Sequence, residues 1–304
     1  MSVGTKPAID LNDLLASAQL PALPQTAIRL IELSQDAANG PKEYARPIEA
    51  DVGLMGQVLR FVNSSYFGFS REIASVQQAL ALVGVRTIKN FVLWSAVFAL
   101  VPDPKFGPFD LKKLWQDSLR RALFARNLGR WLKLNNSEDL FAAALLQDMA
   151  IPLLLKELPE QYEELVERRT SEGARLSDLE REVFGWDHAQ AAAALARNWQ
   201  LPDAFARLIE RHPCVESLLA SDPPELDAAC VALAALLPAC QDERWPECEK
   251  FLEQLRRISP DAAQRVEELF VEVDTAMEEF APLMNLAVPA KSLRQWWHEA
   301  EPLT

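Results

Sequence analysis

Imidazole is scarce in this chain. Among 304 residues only His188, His212 and His298 are histidine, so proton transfer near neutral pH and nitrogen ligation of a metal must both draw on them. Asp187 directly precedes His188, Arg211 precedes His212, and His298 closes a Trp296-Trp297-His298 run near the end. No flanking motif supports a Ser-His or Cys-His nucleophile. The GxSxG elbow is missing, as are the glycine-rich phosphate loops of the Walker and dinucleotide types. The four cysteines, Cys214, Cys230, Cys240 and Cys248, contain no CxxC pair. Structural zinc sites take ligands at short paired spacings, so these read instead as small apolar packing residues of a reducing compartment. The Trp296-Trp297-His298 run could recognise a ligand, but the commoner use of such residues is to pin a terminal helix.

Helices must carry these groups. Long alternating β-branched runs are lacking, and all ten glycines lie at or before Gly185. More than a hundred residues without glycine cannot readily make the tight turns of a sheet, whereas helices can end on Asn, Asp-Pro or Pro. Apolar residues recur at spacings of three and four in Ile28, Leu30, Ile31 and Leu33, in Met55, Val58, Leu59 and Val62, and in Leu114, Leu119, Ala122, Leu123 and Leu128. Such stripes predict helices with one buried face. The fold class expected is therefore all-α.

Two boundaries stand out. The stretch from Pro102 to Pro108 holds three prolines and a glycine, and Asp110 beyond it is a candidate N-cap. The second lies near Pro213, where the composition turns acidic: residues 215–304 carry 7 basic and 18 acidic side chains, which is −11 of the net −13. An acidic surface of this kind repels nucleic-acid phosphates and anionic lipid, and it suits a basic protein partner as well as a merely solvated face. The most apolar run, Phe91 to Val101, is too short to span a bilayer. Asp10 and Asp13 break any signal-like apolar centre, so a cytoplasmic location is expected.

From Leu20 to about His212 the sequence resembles the HDOD family. The resemblance rests on Leu20-Pro21-Ala22-Leu23-Pro24, Ile48-Glu49-Ala50-Asp51, Leu59-Arg60-Phe61-Val62-Asn63-Ser64, Tyr66-Phe67-Gly68, Ile73-Ala74-Ser75 and Ala79-Leu80-Ala81-Leu82-Val83-Gly84, with Ile88 and Asn90 beyond. No single piece is diagnostic, but their order over some seventy residues is. Physical roles fit several of them. Asn63 and Ser64 should satisfy backbone groups at a helix end, although Asn63 could also face a ligand, and Gly68 and Gly84 should adopt positive φ or permit close approach.

The resemblance implies two packed helical subdomains, about 20–102 and 110–212. Residues 1–19 would form a helical lead-in and 213–304 an acidic helical extension. It also implies a decayed metal-dependent phosphohydrolase site. An active HD enzyme has an early His, a central His-Asp pair and a later Asp. Here Asp117 stands at the early position, Gln147 replaces the central His beside Asp148, and His188 and His212 fall where downstream histidines can occur. An amide is a weak ligand beside an imidazole, so loss of catalysis is expected, with no cofactor and no resident metal. Asp148 would then cap a helix or accept hydrogen bonds from Ser118 or an indole, Asp187 would serve as an N-cap, and His212 would sit at a helix C-terminus. Arginines for phosphate do not cluster in the sequence, although Arg120 and Arg121 lie one turn from Asp117. The resemblance implies a bacterial signal-transduction protein that acts on other signalling proteins, without nucleic acid or membrane. The rival expectations are a metal-dependent phosphohydrolase acting on a nucleotide or cyclic dinucleotide, and a nucleotide sensor without turnover.

Overall fold

The structure, a computed structural model, describes residues 9–18, 22–36, 38–105, 107 and 109–300. Leu20 and Pro21 of the first motif, Pro108 of the first boundary and residues 1–8 and 19 of the lead-in lie outside the described residues. Among these residues the chain is helical throughout and has no strand, as the apolar spacing predicts.

Before the first boundary come α1 (Leu11–Ser17), α2 (Gln25–Leu33), α3 (Pro41–Glu49), α4 (Val52–Val62), α5 (Val76–Val83) and α6 (Val85–Leu100). After it follow α7 (Leu111–Trp131), α8 (Ser137–Leu146), α9 (Ile151–Glu157), α10 (Pro159–Glu172), α11 (Leu176–Phe184), α12 (His188–Asn198) and α13 (Asp203–Glu210). The acidic stretch forms α14 (Val215–Ala220), α15 (Leu226–Ala234), α16 (Cys248–Ile258), α17 (Pro260–Gln264), α18 (Val266–Phe280) and α19 (Leu293–Ala300).

Local sequence explains most of the ends. Asp10, Asp51, Ser75, Asp110, Asp187 and Ser259 each accept a backbone N–H of the helix that follows, which satisfies donors the helix itself cannot. Gly68 and Gly84 adopt φ of 60° and 99°, the positive-φ turns expected of them. Asn63 ends α4 and also donates to the carbonyl of Ile73 while accepting that residue's N–H, so it staples the next loop to the helix. Its structural role is the one observed.

α7 is the axis of the molecule. α8 packs along it, α15 and α18 lie on other sides, and α6 bridges the earlier helices to α8. The approach of α7 to α8 depends on Gly129, where an added Cβ would come within 2.7 Å of Leu140 Cδ1. On the other side Phe124 meets Phe251 and Phe270, which in turn pack on Trp245. The acidic stretch thus contributes its apolar faces to the common core. Trp296 is buried, Trp297 meets Phe270, and His298 Nε2 lies 3.2 Å from Glu267, so the tryptophan pair pins α19.

No single helix among the described residues is long and apolar enough to cross a membrane. α5 and α6 together reach that length, but the chain bends by 115° between them.

One buried charge joins three parts of the chain. The Arg126 guanidinium lies over the rings of Tyr66, Phe141 and Phe280, at 4.8, 5.0 and 5.1 Å from their centroids. Its Nε has no hydrogen-bond partner, and burial lowers its hold on the proton. Ring faces return part of the desolvation cost, on the order of 0.5–2 kcal/mol, but no carboxylate among the described residues pairs with it. Arg126→Met keeps the volume and removes the penalty. Urea denaturation is expected to show stability unchanged within about 1 kcal/mol, or raised by up to about 4 kcal/mol. A loss above about 3 kcal/mol would show that the charge is needed.

Candidate functional site: a closed carboxylate–histidine triad

Three helix ends meet beside Arg121 of α7. Gln147 and Asp148 occupy the turn from α8 into α9, where the Asp148 carbonyl accepts the Ile151 N–H. Gly185, at φ 81°, stops α11, and Asp187 then caps α12 so that His188 is its first residue. Asp187 is the N-cap expected, in a reciprocal capping box with Gln190. His212 follows the last turn of α13, and its Nδ1 lies 2.8 Å from the Ile209 carbonyl, the helix-end position expected of it. Asp148, His188 and His212 are all buried, and Gln147 is fully so.

The ring orientations are fixed from behind. His188 Nδ1 lies 2.6 Å from Glu180 Oε2, which also accepts the His188 backbone N–H at 2.8 Å, while the Tyr162 hydroxyl donates to Glu180 Oε1 at 2.6 Å. With both Nδ1 atoms engaged as donors, both Nε2 atoms point at each other, 3.2 Å apart. Asp148 Oδ1 completes the triangle at 3.4 Å from His188 Nε2 and 3.6 Å from His212 Nε2. Three lone-pair atoms this close repel unless a positive charge lies among them.

In the ion-free chain a shared proton fills that need. Burial disfavours a charged His188, but Glu180 and the hydrogen bond to Asp148 outweigh it and push its pKa up to about 10. Burial, together with the neighbouring His188 charge, lowers His212 despite the pull of Asp148. The imidazolium of His188 then donates to Glu180 on one side and to the other two triad atoms on the opposite side. Burial alone would raise Asp148 as well, yet Arg121 and the two histidines hold it well below the usual carboxylate range. Arg121 Nη1 pairs directly with Asp148 Oδ2.

A divalent ion could replace the proton. The donor set of two imidazoles and a carboxylate suits zinc or manganese, and all three ligand atoms lie within 4.8 Å of one another. Zinc bonds of about 2.0–2.1 Å at tetrahedral angles place neighbouring ligand atoms about 3.4 Å apart, which matches the triangle. Anchored Nδ1 atoms are the outer support that metal-bound histidines need. The residues therefore fit an ion, although Arg121 holds the second oxygen of Asp148.

Other predicted positions fall elsewhere. Asp117 does not join the triad: its Oδ1 accepts the Cys240 backbone N–H at 2.8 Å, and burial raises its pKa against the pull of Arg121 and Arg120. Ser118 is buried with its hydroxyl unpartnered, and the partner of Asp148 is Arg121 rather than Ser118 or an indole, which corrects the expectation for that carboxylate. The arginines also cluster more than the sequence suggests. Arg121 from α7, Arg169 from α10 and Arg175 just before α11 all act on Glu247, although only Arg121 touches the triad. Sequence reasoning missed Arg121, Glu180 and Tyr162 as partners. The i to i+4 step from Asp117 to Arg121 was a visible signal, whereas Glu180 and Tyr162 sit on helices whose meeting no local pattern announces.

The proton count gives a signed pH dependence. His188, raised above its unfolded value of 6.5, stabilises the fold fully below that value, and the contribution is lost as pH rises toward about 10. His212, depressed, contributes above 6.5 and loses its contribution as pH falls below it. Denaturation between pH 5 and 9 should give a stability maximum near pH 6.5. Each limb should fall by at most about 1.4 kcal/mol per pH unit, with the alkaline limb flattened in His188→Gln. A maximum unmoved in shape by that substitution would contradict the assignment.

Comparison with known proteins places the chain. The model of the HDOD domain matches residues 20–214. An uncharacterised protein of Treponema pallidum is 26% identical over 197 residues, which cover 62% of this chain and 37% of that one. The chain thus spans little more than a third of this relative's length. A crystal structure from Marinobacter aquaeolei, whose name proposes a signal transduction protein, superposes with a TM-score of 0.70 at 21% identity, covering 93% of this chain and 68% of that one. Another, from Shewanella amazonensis, whose name proposes a phosphohydrolase, gives 0.65 at 21% identity, covering 86% and 95%. At such identities the superpositions show a shared fold and no shared activity. The domain match covers most of the chain and the helical architecture agrees with it, so the chain belongs to the HDOD family.

Proposed function

We propose that this chain is a non-catalytic signal-transduction protein that works by binding other signalling proteins. The observation that supports this reading most is the closure of the triad. Its three residues are buried, and the Asp148 carboxylate is already neutralised by Arg121. Hydrolysis would need an open coordination position for water beside a phosphate, and Gln147 offers an amide where a strong ligand is needed. Its Oε1 has no hydrogen-bond partner. The name borne by the Marinobacter relative agrees with a signalling role. Outward-facing Val52 and Leu82 on α4 and α5, and Phe69 in the loop between them, give this part of the chain apolar area for a partner.

The test is a capture experiment with the intact chain from cells that express it. The reading expects a stoichiometric protein partner that binds Asp148→Asn as well as the unaltered chain. Loss of every partner, together with turnover of a phosphate ester, would replace it with the enzyme reading. A second reading, an ion held without turnover, is favoured specifically by the tetrahedral spacing of the triad. Ion binding must then expel the His188 proton.

A further inference from the structure

A cavity of about 200 Å³ opens where α6 meets α8, α13 and α15, and no triad residue lines it. It therefore lies between helices from before the first boundary and helices from after it. Leu93, Leu201, Phe205 and Leu208 give it an apolar wall. Asn90 of α6 fastens one side by donating to the Glu138 carbonyl at 3.0 Å and to Asp139 Oδ1 at 3.2 Å. Sites for drug-sized molecules enclose roughly 300–1,000 Å³, so this smaller space suits one small metabolite.

Most charges around the cavity already have partners. Arg211 Nη1 lies 2.6 and 2.7 Å from the two oxygens of Glu225, Arg207 Nε lies 3.6 Å from Asp203, and Asp139 faces Arg86 at 3.8 Å. Two lining charges do not. Lys89 makes no hydrogen bond or ion pair with any described residue, and burial lowers its hold on the proton against the field of Asp139. Asp227 has no cationic partner among the described residues. Its Oδ1 accepts the Ala228 N–H at 2.8 Å, and its Oδ2 receives only a long 3.4 Å bond from Asn136. A lone ammonium and a lone carboxylate thus line one cavity without pairing, and each has lost water that no partner replaces. A simple anion would satisfy Lys89 and be repelled by Asp227, and a simple cation would do the reverse. A small zwitterion satisfies both, and the apolar wall calls for an apolar side chain on it.

We propose that this cleft binds a free α-amino acid with an apolar side chain, its carboxylate on Lys89, its ammonium on Asp227 and its side chain against Phe205 and Leu208. Occupancy ties α6 to α13 and α15, so the ligand needs only differential affinity for one arrangement of these helices to shift their population. The inference deepens the signalling reading by naming an input, and it rests on that reading only for the consequence of binding.

L-phenylalanine and L-leucine are the probes. Calorimetry on the full chain is expected to show one site for at least one of them. 3-Phenylpropanoate lacks the amine and 2-phenylethylamine lacks the carboxylate, and each should bind at least about tenfold more weakly than L-phenylalanine, because one protein charge stays unpaired. Lys89→Met should weaken L-phenylalanine to a similar degree and no longer discriminate against 2-phenylethylamine. Asp227→Asn should likewise cease to discriminate against 3-phenylpropanoate. Ala204 is exposed at the cavity, so Ala204→Phe should block entry while melting as the unaltered chain does. Absence of binding heat with both amino acids would overturn the proposal. So would 3-phenylpropanoate binding as tightly as L-phenylalanine, or binding that survives Ala204→Phe. Calorimetry reads the cleft alone, so its failure leaves partner capture standing, and a failed capture leaves the calorimetry standing.

Discussion

Glu180→Ala is expected to cost about 3–5 kcal/mol of stability, the range seen when one partner of a buried ion pair is removed. Glu180 is fully buried and accepts three hydrogen bonds, from the Tyr162 hydroxyl and from two nitrogens of His188. Without it the phenol and the backbone N–H have no acceptor in an enclosed space, and His188 loses the carboxylate that keeps it charged. The cost of each orphaned neutral donor, about 1–3 kcal/mol, adds to that of the uncompensated imidazolium. His188 can escape part of the penalty by releasing its proton, so its titration should fall sharply from about 10 in the variant. Urea denaturation reads the first effect, and the pH dependence of the His188 ring proton resonances reads the second. A variant as stable as the parent, with an unmoved imidazole titration, would mean that the triad is not oriented from behind by Glu180.

A chain ended at Pro213 is expected not to fold. Composition makes the remainder look like an appendage, because its −11 balance sets it apart. Its inward faces tell otherwise. Val231, Leu233, Phe251, Leu255, Leu269, Phe270 and Val273 are completely buried, and α15 and α18 lie directly along α7. Each such side chain contributes about 1.5–3 kcal/mol when buried. The seven together come to about 10–20 kcal/mol, as large as the roughly 5–15 kcal/mol by which domains are typically stable. Truncation also strips Arg120 of both its carbonyl partners, at Pro238 and Lys291. The expected product shows helical far-ultraviolet dichroism without fixed tertiary signals, or precipitates. A truncated chain with a cooperative melt and dispersed resonances would overturn this view of the core.

Much of the fold was legible because local rules govern helix ends. Asp110, Asp187, Gly84 and Gly185 do what their types and positions predict, and Leu119, Ala122, Leu123 and Leu128 of the α7 stripe are buried as their spacing requires, with Leu114 half-buried at its start. The site was legible in membership but not in geometry. His188, His212 and Asp148 do meet, while Asp117, the other vestigial acid, turns instead to a backbone N–H 123 residues later. Nothing in a linear pattern reveals that encounter. The same holds for Arg121, whose pairing with Asp148 depends on the angle at which α7 crosses the α8–α9 turn. Charge-bearing side chains choose partners after the helices have packed, and packing is set by apolar faces that carry no record of those choices.

The central claim is that the triad holds positive charge without using it to cleave phosphate esters. Purified chain loaded in turn with zinc, manganese and iron, washed, and assayed on phosphomonoesters, nucleotides and cyclic dinucleotides tests it directly when metal content is measured in the same samples. The account predicts at most one ion per chain, lost in His188→Gln and His212→Gln, and phosphate release no faster than buffer with the same ion. Sustained release that tracks the bound ion and disappears in Asp148→Asn would contradict it.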